Sequence, residues 1–303
     1  MLTADIAHSQ FILLWGTNTV VTNLHLWPIV REAKVNSATI VVIDPARTRT
    51  AQAADWHVRP LPGTNTALAL GMMRVILDEG LHDADYVERH TLDFEQLRER
   101  LADYPPDDVA AITGIAADEI VRLALAYATL RPAAIQLLVG MEHHSHDAMA
   151  YRAIACLPAL IEAWRVCGAG LLYMTARLHS AALNAGAVTT PEPEDLTIWS
   201  VNIVQRGRTL TNPTFDPPIK ALFVWNANPA ATAPNQGLVL EGLCRDDLFT
   251  VVHEQFLTDT AKHADYVLPA TTQLEHVDLI WSWGHESLAL NWPAIAPLGE
   301  ATR

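Results

Sequence analysis

The chain repeats itself at an offset of 210 residues. Trp15-Gly16-Thr17-Asn18 returns as Trp225-Asn226-Ala227-Asn228, and Val41-Val42-Ile43-Asp44 returns as Val251-Val252-His253-Glu254. Thr48-Arg49-Thr50-Ala51-Gln52-Ala53-Ala54-Asp55 returns as Thr258-Asp259-Thr260-Ala261-Lys262-His263-Ala264-Asp265. No gap is needed, and ten of the forty-one residues from 15 to 55 are identical to their counterparts. Self-similarity at a fixed offset marks one structural unit used twice, so a fold for one copy has to serve the other.

Each copy reads strand, tight turn, helix, strand, acidic residue. The pattern suits a dinucleotide site. A close turn and a helix N-terminus offer N–H groups to phosphates. An acid at the end of the second strand, here Asp44 or Glu254, can accept hydrogen bonds from ribose hydroxyls or a base. Neither copy carries Gly-x-Gly-x-x-Gly, which argues against an ordinary nicotinamide dehydrogenase. The plain alternative is an old duplication in which one site, or none, is still used.

The rest of the chain extends this pattern. Buried strands are predicted at 11–15, 38–43, 56–61, 133–139, 220–225 and 248–252, with helices over 24–35, 64–79, 83–130 (in short pieces), 148–164 and 236–244. Thr64 or Asn65 would cap the helix that follows Pro62-Gly63. Pro158 would bend the helix it lies in. Residues 175–218 hold five prolines and little periodicity, and read as a long irregular connection. Strands alternating with helices imply an α/β fold of two related Rossmann-like parallel-sheet units, 1–135 and 136–303.

Composition narrows the partners. Half of the 303 residues are apolar and the net charge is −14, which disfavours nucleic acid and anionic lipid. No apolar run reaches the roughly 20 residues of a membrane span, and no signal-like start is visible. These features point to the cytoplasm, with the periplasm open if sequence precedes Met1. Cys156, Cys167 and Cys244 form no Cys-x-x-Cys pair, so no zinc ribbon or iron–sulfur cluster is encoded.

The repeat blocks also carry a resemblance. Ile12-Leu13-Leu14-Trp15-Gly16-Thr17-Asn18, Val41 to Ala51, Pro62-Gly63-Thr64-Asn65, Tyr86 to Thr91 and Ile112-Thr113-Gly114 stand in the order found in the molybdopterin oxidoreductases. Val224 to Pro229, His253 to Ala261, Ala264 to Pro269 and Glu275-His276 continue the series. The chain resembles the central portion of that family, which includes formate dehydrogenase, dimethyl sulfoxide reductase and nitrate reductase catalytic subunits. The resemblance implies molybdenum bis(molybdopterin guanine dinucleotide), one dinucleotide on each half of a pseudo-twofold pair. It implies one site at Gly16, Thr17, Asn18, Asp44, Arg47, Pro62, Gly63 and Asn65. It implies another lined or supported by Gly140, Asn226, Asn228, Pro229, Glu254, Gln255, Thr258 and Asp265. Asn65 stands where many members carry Asp.

By the same resemblance, a [4Fe–4S] segment and the residue that ligates the metal would lie upstream, and a barrel-like domain downstream. The partners implied are those further domains, a small-molecule substrate and an electron-transfer subunit. No catalytic residue and no metal ligand is assigned within the chain. A non-catalytic respiratory-complex subunit that keeps the fold without molybdenum is the alternative, against which the polar strand ends argue. Two smaller features read more plainly. Glu142-His143-His144-Ser145-His146-Asp147 reads first as a loop of solvated histidines, with a pterin or substrate pocket and then a separate metal site as the alternatives. Trp281, Trp283 and Trp292, within an apolar segment at 280–297, read as packing residues.

Overall fold

The structure is a computed structural model and describes residues 2–144, 147–174, 184, 200–280 and 287–301. The chain divides into a first compact unit, Met1–Leu183, and a second formed by Asn184–Ile280 and Leu288–Arg303.

After a 3-10 helix at Thr3–His8, the first unit runs through β1 (Phe11–Trp15), α1 (Thr19–Thr22), α2 (Leu26–Val35), β2 (Thr39–Ile43), α3 (Arg49–Ala53) and β3 (Trp56–Val58). Five helices follow: α4 (Asn65–Asp78), α5 (Ala84–His90), α6 (Phe94–Leu101), α7 (Pro106–Thr113) and α8 (Ala117–Thr129). It continues with β4 (Ala133–Leu137), α9 (Asp147–Leu160) and β5 (Gly170–Leu172). All five strands are parallel, in the order β3-β2-β1-β4-β5. Every residue of β1 is buried, as expected of a parallel strand covered on both faces. Leu13, Trp15, Val41 and Ile43 enter one core with Leu68 and Met72 of α4 and Leu123 of α8. Ile12, Leu14, Ile40 and Val42 enter the other with Leu26 and Val30 of α2.

Local chemistry sets several boundaries. The Thr48 hydroxyl caps α3 by accepting from Ala51 N at 3.1 Å, and Asp83 caps α5 by accepting from Tyr86 N at 2.9 Å. Gly114, at φ 73°, ends α7 in the left-handed conformation. Thr64 precedes α4 but does not cap it; its hydroxyl turns back to donate to Leu61 O at 2.6 Å.

The second unit holds α10 (Arg206–Thr211), β6 (Ala221–Trp225), α11 (Pro229–Thr232), α12 (Gln236–Leu243), β7 (Phe249–Glu254) and β8 (Tyr266–Pro269). An antiparallel pair, β9 (Asp278–Ile280) and β10 (Ala289–Asn291), follows. β6, β7 and β8 form a parallel sheet in that order. Its register reproduces the first unit at the same offset: Phe11↔Thr39 and Ala221↔Phe249, Val41↔Trp56 and Val251↔Tyr266.

The structure differs from the sequence reading in three places. The first unit runs to Leu183 and not to 135, because β4 pairs with β1 and so belongs to the first sheet. The 175–218 segment is not wholly irregular, since Ile203–Gln205 forms a 3-10 turn that leads into α10; residues 175–183 and 185–199 lie outside the described residues. Trp15 and Trp225 hold equivalent positions at their strand ends but not equivalent surroundings. Trp15 is fully buried, whereas Trp225 is 73% exposed. The covered face of the second sheet carries Val224 and Val252; Phe223, Trp225, Phe249 and Tyr266 are exposed. Trp281 and Trp283 lie outside the described residues, while Leu288, Leu290, Trp292 and Ile295 are exposed.

Candidate functional site at the strand ends

The two copies build the same turn at the end of their first strand. Gly16 N donates to Ile43 O at 2.9 Å, and Asn226 N donates to His253 O at 3.2 Å. Both turn residues are left-handed, Gly16 at φ 63° and Asn226 at φ 49°. A Cβ on Gly16 would lie 2.5 Å from Met141 Cγ, so a larger residue there would require that side chain to shift.

Behind each turn stands a lock. Thr50 Oγ1 donates to Asn18 Oδ1 at 2.8 Å and accepts from Val20 N at 3.0 Å. Thr260 Oγ1 donates to Asn228 Oδ1 at 2.8 Å and accepts from Ala230 N at 3.0 Å. A second lock ties the start of the second strand to the third. Ile40 N donates to Asp55 Oδ2 at 3.0 Å, and Thr250 N donates to Asp265 Oδ2 at 2.7 Å. Burial alone would raise the Asp55 pKa. The hydrogen bonds from Lys34 and Ile40 N and the Lys34 charge outweigh it and hold the carboxyl below its ordinary value.

These bonds revise the phosphate argument drawn from the sequence. α1 and α11 have four residues each, too short to build a useful dipole, and their N–H groups at Val20 and Ala230 are spent on the threonine hydroxyls. Pro229 has no N–H to offer. Val20 N and Ala230 N therefore close the turn and are not free to bind an anion.

The residues implied by the resemblance fall into two groups. Asp44 and Glu254 are half-buried at the ends of β2 and β7. Asp44 Oδ1 accepts from Ala46 N at 2.8 Å, and Glu254 Oε1 accepts from Gln255 N at 2.7 Å, so each has its other oxygen to offer. Arg47, Pro62, Gly63, Gly140, Asn226 and Gln255 are exposed. By contrast, Asn18, Asn228, Thr258 and Asp265 commit side-chain oxygens to the frame; Thr258 Oγ1 accepts from Ala261 N at 3.2 Å. Thr17 and Pro229 are buried, Thr17 with its hydroxyl 3.3 Å from that of Thr19. The Asn65 Oδ1 accepts from Trp15 Nε1 at 2.8 Å, which leaves its amide N–H groups for a ligand.

Gly140, grouped with the second copy by the resemblance, lies in the first unit. It follows β4 and meets the turn after β1: a Cβ on Gly140 would lie 2.5 Å from Gly16 O. The strand order reverses between β1 and β4, the position where open α/β sheets bind ligands. His143 and His144 nearby are exposed, and Ser145 and His146 lie outside the described residues. Among the described residues no group of three His, Cys, Asp or Glu side chains could hold a metal ion.

In the second unit the strand ends open into a cleft of about 540 Å3, lined by Trp225, Asn226, His253, Glu254, Gln255, Thr271 and His276 among others. Gln255 Nε2 donates to Thr271 O at 3.0 Å, and Thr271 Oγ1 lies 3.0 Å from His276 Nδ1. This volume lies in the range of about 300–1,000 Å3 usual for small-molecule sites. An exposed indole, a carboxylate, amides and imidazoles suit a nucleotide. Thr271, Gln273 and Asp278 line the cleft without having been singled out from the sequence, and His253 lines it although the sequence reading assigned it to no site. At His253 a signal was present, since a polar side chain replaces the apolar Ile43 of the first copy.

Comparison with known proteins agrees with this frame. Residues 2–302 match the family described as molybdopterin oxidoreductase. A Bacillus subtilis protein named "Probable oxidoreductase YoaE" is 40% identical over 98% of this chain and 43% of its own length. Acetylene hydratase of Syntrophotalea acetylenica is 32% identical over 98% of this chain and 46% of its own. The solved structure of acetylene hydratase from Pelobacter acetylenicus superposes with a TM-score of 0.69 at 27% identity, over 99% of this chain and 48% of that one. The chain thus spans less than half the length of these relatives. With the match covering nearly all of it, the chain belongs to the molybdopterin oxidoreductase family.

Proposed function

We propose that the chain is the part of a molybdenum enzyme that holds a bis(molybdopterin guanine dinucleotide) cofactor, one dinucleotide on each copy of the repeat. One observation carries this reading: the strand–turn–helix–strand frame is built twice with the same bonds. Asp44 and Glu254 would accept from ribose hydroxyls or a base, Asn226 and Trp225 would wall the second site, and Gly16 with Gly140 would admit the ligand to the first. When bound, the cofactor would supply two-electron chemistry on a small substrate, and the chain would bind and orient it. A metal ligand, a [4Fe–4S] cluster and the contacts to an electron-transfer subunit are assigned to sequence outside residues 1–303.

The test is to purify the full-length protein, measure molybdenum by mass spectrometry and identify the nucleotide released by acid. Two guanine nucleotides per molybdenum are expected. Asp44→Ala should lower occupancy, by about 1–3 kcal/mol for one charge-assisted hydrogen bond. A full-length protein with molybdenum but no guanine nucleotide would overturn the reading. The likeness to acetylene hydratase favours a second reading, in which the same core supports hydration and not net electron transfer. Turnover that needs no electron acceptor would distinguish it.

A further inference from the structure

We propose that Thr50 and Thr260 are positioning residues, each setting the turn of one nucleotide site independently of the other. The proposal rests on the dinucleotide reading above. The starting observation is which residues the two copies share. Of the ten identities between residues 15–55 and 225–265, five are polar: Asn18, Thr22, Thr48, Thr50 and Asp55 with their counterparts. All five make the same hydrogen bond in both copies. The Thr22 and Thr232 hydroxyls complete the set by donating to Asn18 O at 3.2 Å and Asn228 O at 2.9 Å.

Thr50 and Thr260 are fully buried and stand at the centre of each lock. Each hydroxyl joins the asparagine amide to an N–H of the short helix behind the turn, so the turn is gripped from both sides. That grip has work to do at Asn226. Asn226 is left-handed, a conformation asparagine adopts more readily than other non-glycine residues, and the lock behind it fixes that turn. Asn226 and its neighbour Trp225 wall the cleft, so the path from Thr260 through Asn228 to the cleft is short and continuous. Valine at 260 would keep the shape and strip Ala230 N of its partner, while Thr260 N still donates to Asn228 Oδ1 at 3.1 Å. Valine at 50 would take the Thr50 hydroxyl from both Asn18 Oδ1 and Val20 N, so the first site should suffer more.

The experiment is calorimetric titration of the full-length protein, isolated free of cofactor, with GDP, with folding at the titration temperature checked by circular dichroism. The unmodified protein should bind two equivalents. Thr50→Val and Thr260→Val should each weaken one site by roughly tenfold or more and leave the other within about twofold. Thr50→Ser and Thr260→Ser, which keep the hydroxyl, should restore both. Folded valine variants that bind two equivalents with unchanged affinity would overturn the positioning role while the dinucleotide reading stands. Loss of both sites from either single substitution would overturn the independence. Fewer than two equivalents in the unmodified protein would overturn the reading beneath.

Discussion

Thr260 Oγ1 lies 2.8 Å from Asn228 Oδ1, and 210 residues earlier Thr50 Oγ1 lies 2.8 Å from Asn18 Oδ1. The duplication has kept this frame and varied what the frame presents. In the repeat Gly16 corresponds to Asn226, Asp44 to Glu254 and Arg47 to Leu257. A repeated polar residue is therefore a marker of structure here, and under the proposed dinucleotide reading the differing positions at the strand ends would give the two sites distinct surroundings.

Gly140→Ala should destabilise the first unit. The new methyl would lie 2.5 Å from Gly16 O, a backbone atom that cannot swing aside. Overpacking of this kind costs about 1–3 kcal/mol. A lower urea midpoint with unchanged slope is expected, and an unchanged midpoint would show that the two turns do not touch.

Thr250→Val should stabilise the second unit. The Thr250 side chain is fully buried and its hydroxyl has no partner among the described residues, whereas the first copy carries Ile40 at that position. Removing an unsatisfied buried hydroxyl at constant shape should gain about 1–2 kcal/mol. Thermal denaturation of the two proteins measures it, and a loss of stability would mean that the hydroxyl is bonded.

Glu275 should give the second unit an acid-labile anchor. Its carboxylate is buried and accepts from Thr272 N at 2.7 Å and Leu298 N at 2.6 Å, so it ties the turn after β8 to the segment after β10. These backbone bonds, that of Thr272 first, hold its pKa below the ordinary value. A carboxyl depressed by folding adds stability that is present above its unfolded-state pKa, about 4.3, and lost as the pH falls through the folded value. Glu275→Gln should therefore be less stable near neutral pH, with the difference from the unmodified chain closing in acid. A difference that persists undiminished at about pH 2 would refute the anchor.

The uncovered sheet face should make the 303-residue chain self-associate. Phe223, Trp225 and Tyr266 are 62%, 73% and 64% exposed. Apolar patches of this kind are rare on monomers and drive association. Light scattering should show concentration-dependent assembly that Phe223→Thr with Tyr266→Thr reduces. A monodisperse monomer would count against it.

Much of this architecture was legible in the sequence. The apolar runs at 11–15, 38–43 and 133–139 located β1, β2 and β4, because parallel strands buried on both faces must be apolar along their whole length. The gapless repeat located β6 and β7 and the turns before Asn18 and Asn228, since local pattern carries strand, turn and spacing together. The four-residue strand β8 and the three-residue strands β5, β9 and β10 were not read as strands, although β3, also three residues long, was. The tertiary structure alone decided where each polar group spends its hydrogen bonds. Asn18, Asn228, Thr258 and Asp265 hold partners 3 to 32 positions away, and Gly140 lies against the turn of the first copy because β4 pairs with β1. A sequence pattern records which residue types recur. Whether a side-chain oxygen is left for a ligand depends on which distant donor the fold brings to it, and that is settled only when the strands pair.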